Sequence, residues 1–390
     1  MEIHIERKTF LEGIQQVQSV VERKSTSPIL SHVLLETKNT MLSLTATDRE
    51  ISIETLLPAS ITKPGSITVS AQKLFEILKE LPESSVHLST QENQWVVLKC
   101  QNSTFRLAGL PKIEFPELPS VKSDESFSLE SQILRNMITK TSFAISHDPN
   151  RNALTGSLLH TDNDRLSMVS TDGHRLAVAT SEIPKDLALK NFEVIIPFKT
   201  VMEVKKLCDS FPSGTGTARS APTGKQEGAE AQRNVPVLNI GFGNNQIIFS
   251  KENTTLISRL IDAQFPDYKQ VIPKASLYHI SMNKEAFHRA VRRVSLLSNE
   301  KSRLIKFTIS PGLLHLTSFD PELGEAREEL SVEYSGDEVV IGFNAKYISE
   351  FLSVIEGETL HMEFNDPLSP GLFTSPEEKD FQCVIMPMRV

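Results

Sequence analysis

Only three cysteines, Cys100, Cys208 and Cys383, occur in 390 residues, an odd number at wide spacings. That excludes a disulfide framework and the spacing of a zinc site, and it predicts reduced thiols and a cytoplasmic protein. No run approaches the roughly 18 apolar residues that a membrane span requires. The opening MEIHIERKTF carries charges where a signal peptide has its apolar stretch, so neither membrane insertion nor export is expected. Basic charge is short as well: 41 Lys and Arg face 49 Asp and Glu, for a formal net charge of −8. Proteins that hold nucleic acid by bulk attraction carry the opposite excess. The chain also lacks a phosphate-cradling glycine loop, a metal-spaced histidine pair and a Ser or Cys nucleophile elbow. No catalytic residue, metal or cofactor is therefore expected.

What is present is a globular composition, 39% hydrophobic and 23% charged, in a chain long enough for two or three domains. Its order is repetitive. Three segments open on a polar residue and then place apolar residues three and four apart, the spacing of one helix face. They are 9–21 (Phe10, Ile14, Val17, Val21), 131–143 (Leu134, Met137, Ile138) and 283–294 (Phe287, Ala290, Val291, Val294). Each precedes a strand-like run, PILSHVLLET from Pro28, ALTGSLLHTD from Ala153 and RLIKFTIS from Arg303. Hairpin-like strands then end on Asp48, Asp172 and Asp320. A second amphipathic segment recurs as SAQKLFEILKEL from Ser70, PFKTVMEVKKL from Pro197 and FNAKYISEFLSVI from Phe343. Closing strands lead to FPELP after Glu114, FPDYKQVIP after Gln264 and FQCVIMPMRV after Asp380.

The three aspartates stand 124 and 148 residues apart, an excess of 24 in the second interval. Residues 212–235, PSGTGTARSAPTGKQEGAEAQRNV, have that length and no apolar period, which predicts a disordered surface insertion. Without them the three units have one length. Each unit reads helix, strands, helix, strands, so the fold class is α+β, three tandem similar domains with helices on one face of antiparallel sheet. Polar stretches at SVKSDES (120–126) and VIPKAS, around Pro273, place the domains at 1–121, 122–272 and 273–390.

TDGHRLAV at Thr171, FPDY at Phe265, SNEK at Ser298 and the final MPMRV, laid in order along this repeat, closely resemble the bacterial DNA polymerase III β subunit family, the sliding clamps. The resemblance implies a head-to-tail homodimeric ring of six clamp-fold domains, helices lining the inside and sheets outside, that encircles duplex DNA without reading its sequence. It also implies a polymerase processivity factor without catalytic activity. Twelve inner helices at about 10 Å each make a circumference of about 120 Å and a hole of roughly 28 Å. The groove depths of B-DNA sum to only about 16 Å, so such a ring binds by topology rather than adhesion. A net acidic protein is compatible with that.

By the same resemblance, a groove accepts short hydrophobic peptides from the replicative polymerase, clamp loader, repair polymerases and mismatch-repair proteins. Its matching positions are Leu154, Thr171, Gly173, His174, Arg175, Leu176, Pro266, Val271, Asn344, Tyr347, Val384, Met386, Pro387, Met388 and Arg389. Methionines repack easily around differing peptides, and His174 and Arg175 would donate to peptide carbonyls or a carboxylate. DNA-facing positions are Lys24, Arg151 and Lys199, and ring-interface positions are Phe115, Leu296 and Leu297. The resemblance departs at Asn152, Ala153, Gln270, Pro370 and Val390.

Read without the resemblance, several of these residues have plainer roles. TDGHRLAV is a hairpin turn with Gly173 at positive φ, and Phe115, Leu296 and Leu297 are ordinary core. The basic helices, Lys284, His288, Arg289, Arg292 and Arg293 against Glu285, and Lys199, Lys205 and Lys206 against Glu203, are solvated faces. A repeat-built, non-catalytic scaffold is the alternative function.

Overall fold

The computed structural model describes residues 1–22, 27–118, 125–162, 164–183, 191–209 and 236–390. Lys24, most of the 120–126 linker and the whole 212–235 run lie outside these residues. Within them the six expected helices are present, two per repeat: α1 Arg7–Val17, α2 Ala71–Glu80, α3 Ser131–Thr141, α4 Phe198–Asp209, α5 Lys284–Ser295 and α6 Ala345–Leu352. Ser70, Asn283 and Asn344 cap α2, α5 and α6, their side chains accepting from the amides of Lys73, Ala286 and Lys346. α1 differs from its expected span of 9–21. The chain enters it straight from strand Glu2–Glu6 without a side-chain cap. Val20 and Val21, beyond its end, are buried all the same.

The apolar stripes do what their spacing requires. Phe10, Ile14 and Val17 of α1, Leu134, Met137 and Ile138 of α3, and Phe287, Ala290, Val291 and Val294 of α5 are all buried. Each fully buried Phe, Leu or Ile contributes about 1.5–3 kcal/mol. The three aspartates form the same turn three times. Oδ1 of Asp48 accepts from the amides of Glu50 and Ile51, that of Asp172 from His174 and Arg175, and that of Asp320 from Glu322 and Leu323. All these bonds are 2.7 to 3.2 Å long. Left-handed backbone follows at Arg49 (φ 79°) and at Gly173 (φ 86°). The aspartates therefore organise hairpins rather than chemistry.

By contacts, the described residues divide into two compact units, 1–134 with 203–260 and 135–202 with 261–390. Strand pairing explains why the sequence repeats are not the contact units. In the first unit an antiparallel ladder runs Glu125–Glu130, Val237–Gly243, Gln246–Lys251, Thr254–Arg259, and on through Ile51–Pro58, Met41–Thr47, His32–Lys38 and Ser66–Ser70. It continues through Ser103–Leu110, Trp95–Cys100, Ser85–Thr90, Glu2–Glu6 and Ser60–Lys63. Second-repeat strand Thr254–Arg259 thus extends the first repeat's sheet. In the second unit an eight-stranded sheet runs Glu193–Pro197, Gly156–Asp162, Arg165–Thr171, Arg175–Glu182, Phe381–Ile385, Gly371–Thr374, Thr359–Phe364, Tyr278–Asn283. A four-stranded sheet runs Gly324–Ser331, Leu313–Asp320, Leu304–Ser310, Val339–Asn344.

Cys100, Cys208 and Cys383 are buried free thiols. No helix among the described residues is long and apolar enough to cross a membrane.

Candidate partner-binding groove

Strand Arg175–Glu182 leaves the aspartate turn and pairs with Phe381–Ile385, which sets Leu176 opposite Val384. That register gathers Leu158, Val169, Leu176, Val178, Ile195, Phe265 and Val384 into one apolar cluster, with Leu154, Tyr268 and Val271 packed against it. Above the cluster opens a cavity of about 180 Å³.

Its lining includes ten of the fifteen residues expected at the groove: Leu154, Thr171, Gly173, His174, Arg175, Leu176, Pro266, Val271, Val384 and Met386. Asp267 and Tyr268 line it too and escaped the sequence reading, although FPDY itself was a recognised string. Asn344, Tyr347, Pro387, Met388 and Arg389 are not in that lining. Asn344 caps α6, and Tyr347 stacks on exposed His174 with ring centroids 6.4 Å apart at 18°. Met386 and Met388 are tied down by their backbones, the amide of one donating to the His174 carbonyl and that of the other to the Gly342 carbonyl, both at 2.8 Å.

Arg175 corrects an expectation. It is 6% exposed, and its guanidinium is committed within the chain. Nε donates to Asp172 Oδ2 at 3.1 Å, Nη1 to Glu350 and Nη2 to the Phe143 carbonyl. The plane also lies 4.5 Å from the Tyr347 ring centroid and 5.1 Å from that of Phe143. So placed, it joins the aspartate turn to α6 while still contributing to the cavity lining; of the two expected donors only His174 is exposed. Tyr268, also in the lining, is braced by His160, whose Nε2 lies 2.9 Å from the tyrosine oxygen. Burial, aided by Lys269, lowers the His160 pKa below its ordinary value, and burial raises that of Tyr268. The brace therefore joins two uncharged groups near neutrality, with histidine able to accept from the phenol.

The remaining expected residues fall elsewhere. Arg151 is exposed but folded over the same turn, its Nη1 donating to the Asp172 carbonyl at 2.7 Å. Lys199 is half-buried in the first turn of α4. The basic face of α5 is partly neutralised, because Arg289 pairs with Glu285 at 2.7 Å and Arg293 pairs with Glu328. Phe115 is only 6% exposed and packs with Ile29, Leu30 and Leu34, so it has little surface for a ring contact. The repeat supplies the reason: Phe115 opens FPELP where Phe265 opens FPDY, and Phe265 is buried likewise. Leu296, by contrast, is 76% exposed, and Leu297 is half-buried.

The DNA polymerase III beta subunit family models match the chain in series, the N-terminal domain at 1–119, the central domain at 128–214 and the C-terminal domain at 269–389. The chain is 36% identical to the beta sliding clamp of Caulobacter vibrioides over 396 residues, and 34% identical to that of Pseudomonas putida over 394, with 100% of each chain covered. Among solved structures, the Pseudomonas aeruginosa sliding clamp bound to griselimycin superposes with a TM-score of 0.89 at 33% identity, covering 100% of both chains. The Caulobacter crescentus pol III beta structure gives 0.89 at 35% identity, again over 100% of both.

Proposed function

Because the chain belongs to the DNA polymerase III beta subunit family, the sliding clamps, and is a polymerase processivity factor, we propose that it works as a non-catalytic homodimeric ring in the cytoplasm. The ring encircles duplex DNA and tethers its clients through the groove beside the aspartate turn of Asp172. Three domains per chain, 1–121, 122–272 and 273–390, make six per ring. The observation that carries the client reading is the apolar cavity floored by Leu176 and Val384 and walled by Leu154, Val271 and Met386. Its occupants are short hydrophobic peptides of the replicative polymerase, the clamp loader, repair polymerases and mismatch-repair proteins.

Ring closure needs two different patches, since head-to-tail contacts are heterologous. Each unit supplies an open sheet edge. Among the described residues, strand Ser103–Leu110 is paired along one side by Trp95–Cys100 and on the other only near Leu110, while Gly324–Ser331 is paired by Leu313–Asp320 alone. Open edges pair readily with another chain, and Arg106 on the first edge complements Glu325 on the second, where Glu329 is already paired with Arg327. Leu296 and Leu297 at the end of α5 add apolar surface, in place of Phe115. On the inner surface, Arg151 and Lys199, with Lys284 and Arg292, attract DNA weakly enough for sliding, and Lys24 is assigned the same role from the sequence alone.

Deleting residues 386–390 tests the client reading. Polymerase stimulation should be abolished while sedimentation still reports a dimer. Stimulation at the wild-type level would contradict the groove assignment.

A further inference from the structure

The C-terminal segment beside the groove is seated on a glycine. Gly342 lies inside strand Val339–Asn344, opposite Lys306 on one side and bridged to Met388 on the other. Glycine weakens a strand interior and often marks the close approach of another backbone. A Cβ here would stand 2.8 Å from the Met388 carbonyl oxygen, from Leu304 Cδ1 and from Val390 Cγ2. The two side-chain ends can rotate away. The Met388 oxygen is backbone and would have to move, and the tail with it.

The repeat provides a comparison within the chain. Three residues before the first residue of α2, α4 and α6 stand Thr68, Ile195 and Gly342. Another segment crosses at each place: Thr68 lies opposite Leu110, and the Ile195 carbonyl accepts from the Ile261 amide at 2.9 Å. Thr68 and Ile195 carry buried side chains beside their crossings. The position lacks a side chain only in the third repeat, where the crossing residue belongs to MPMRV.

We propose that Gly342 is a positioning residue for the groove. Its missing side chain lets residues 386–390 lie against the strand and so sets Met386, bonded to the His174 carbonyl two residues earlier, at the cavity wall. The proposal rests on the groove being the peptide site. Because the corresponding strands of the other two repeats accept side chains at Thr68 and Ile195, Gly342→Ala should fold.

The test measures, by anisotropy, binding of a fluorescein-labelled pentapeptide carrying two leucines and a phenylalanine, to the full chain and to a chain lacking 388–390, each with and without Gly342→Ala. Expected is a loss of about tenfold from Gly342→Ala in the full chain and no further loss in the truncated one. Unchanged affinity in the full chain overturns the proposal. So does an equal loss in both backgrounds, because the substitution would then act through the strand. If wild-type affinity is the same with and without 388–390, the tail does not set the cavity wall and the proposal is overturned; if neither wild-type chain binds the peptide, the groove reading itself fails. Should Gly342→Ala not fold, hydrogen exchange on the wild-type protein decides: the Met388 amide is expected to be protected, and exchange at the rate of an exposed coil overturns the proposal.

Discussion

Replacing Arg175 by methionine keeps a long, flexible side chain and removes the guanidinium that joins the aspartate turn to α6. The loss has three parts, the bonds to Asp172, Glu350 and the Phe143 carbonyl. Removing one partner of a buried charge pair costs about 3–5 kcal/mol. Two features move the figure to the lower end. The Glu350 side chain is 34% exposed and keeps Lys346 at 3.7 Å, and Asp172 keeps its two backbone amides. A loss of about 3 kcal/mol lowers the melting midpoint of a unit of this size by about 6–12 °C. Glu350→Gln, which leaves an acceptor in place, should cost about 1 kcal/mol or less. Thermal and urea unfolding of the full chain measure both. A melting midpoint for Arg175→Met within about 2 °C of wild type would refute the view of Arg175 as an internal tie. Lost peptide affinity without lost stability would restore it as a donor to the peptide.

Removing residues 213–234 should leave the unfolding transition nearly unchanged, because loop closure depends weakly on loop length; a marked loss of stability would show the run to be packed. The pKa of His160 is lowered by burial, so the unfolded chain binds the proton more readily than the folded one. The sign follows: this contribution is complete above the ordinary histidine pKa and is lost as pH falls through it toward the lower folded value. Stability should therefore decline from neutral to mildly acidic pH, and His160→Gln should flatten that slope in urea titrations at several pH values. An unchanged slope would remove His160 as a cause.

Much of this was legible in the sequence because it is local or repeated. The helix stripes, the cap at Asn283 and the aspartate turns all depend on residues within a few positions of one another, as do the caps at Ser70 and Asn344, which were not read as caps. The unread parts are long-range. Arg175 looked like a peptide donor because its partners Phe143 and Glu350 lie 32 and 175 residues away. Nothing in the pattern of the second repeat announces that Thr254–Arg259 pairs with Ile51–Pro58 while Arg175–Glu182 pairs with Phe381–Ile385. Phe115 is the instructive case. Aligning FPELP on FPDY within the chain would have made it a core residue of its own unit, as its counterpart Phe265 is of the other. A net charge of −8 argues only against adhesive DNA binding, and the ion pairs of Arg289 and Arg293 leave α5 less basic than its residue count.

The central claim is that this protein holds DNA by enclosing it. Loading the labelled dimer onto nicked circular DNA with a clamp loader, then cutting the circle at one site, measures that directly. Enclosure predicts long retention on the circle and rapid loss once a free end exists, with retention on the circle largely insensitive to moderate salt. Equal loss from circular and linear DNA would contradict it.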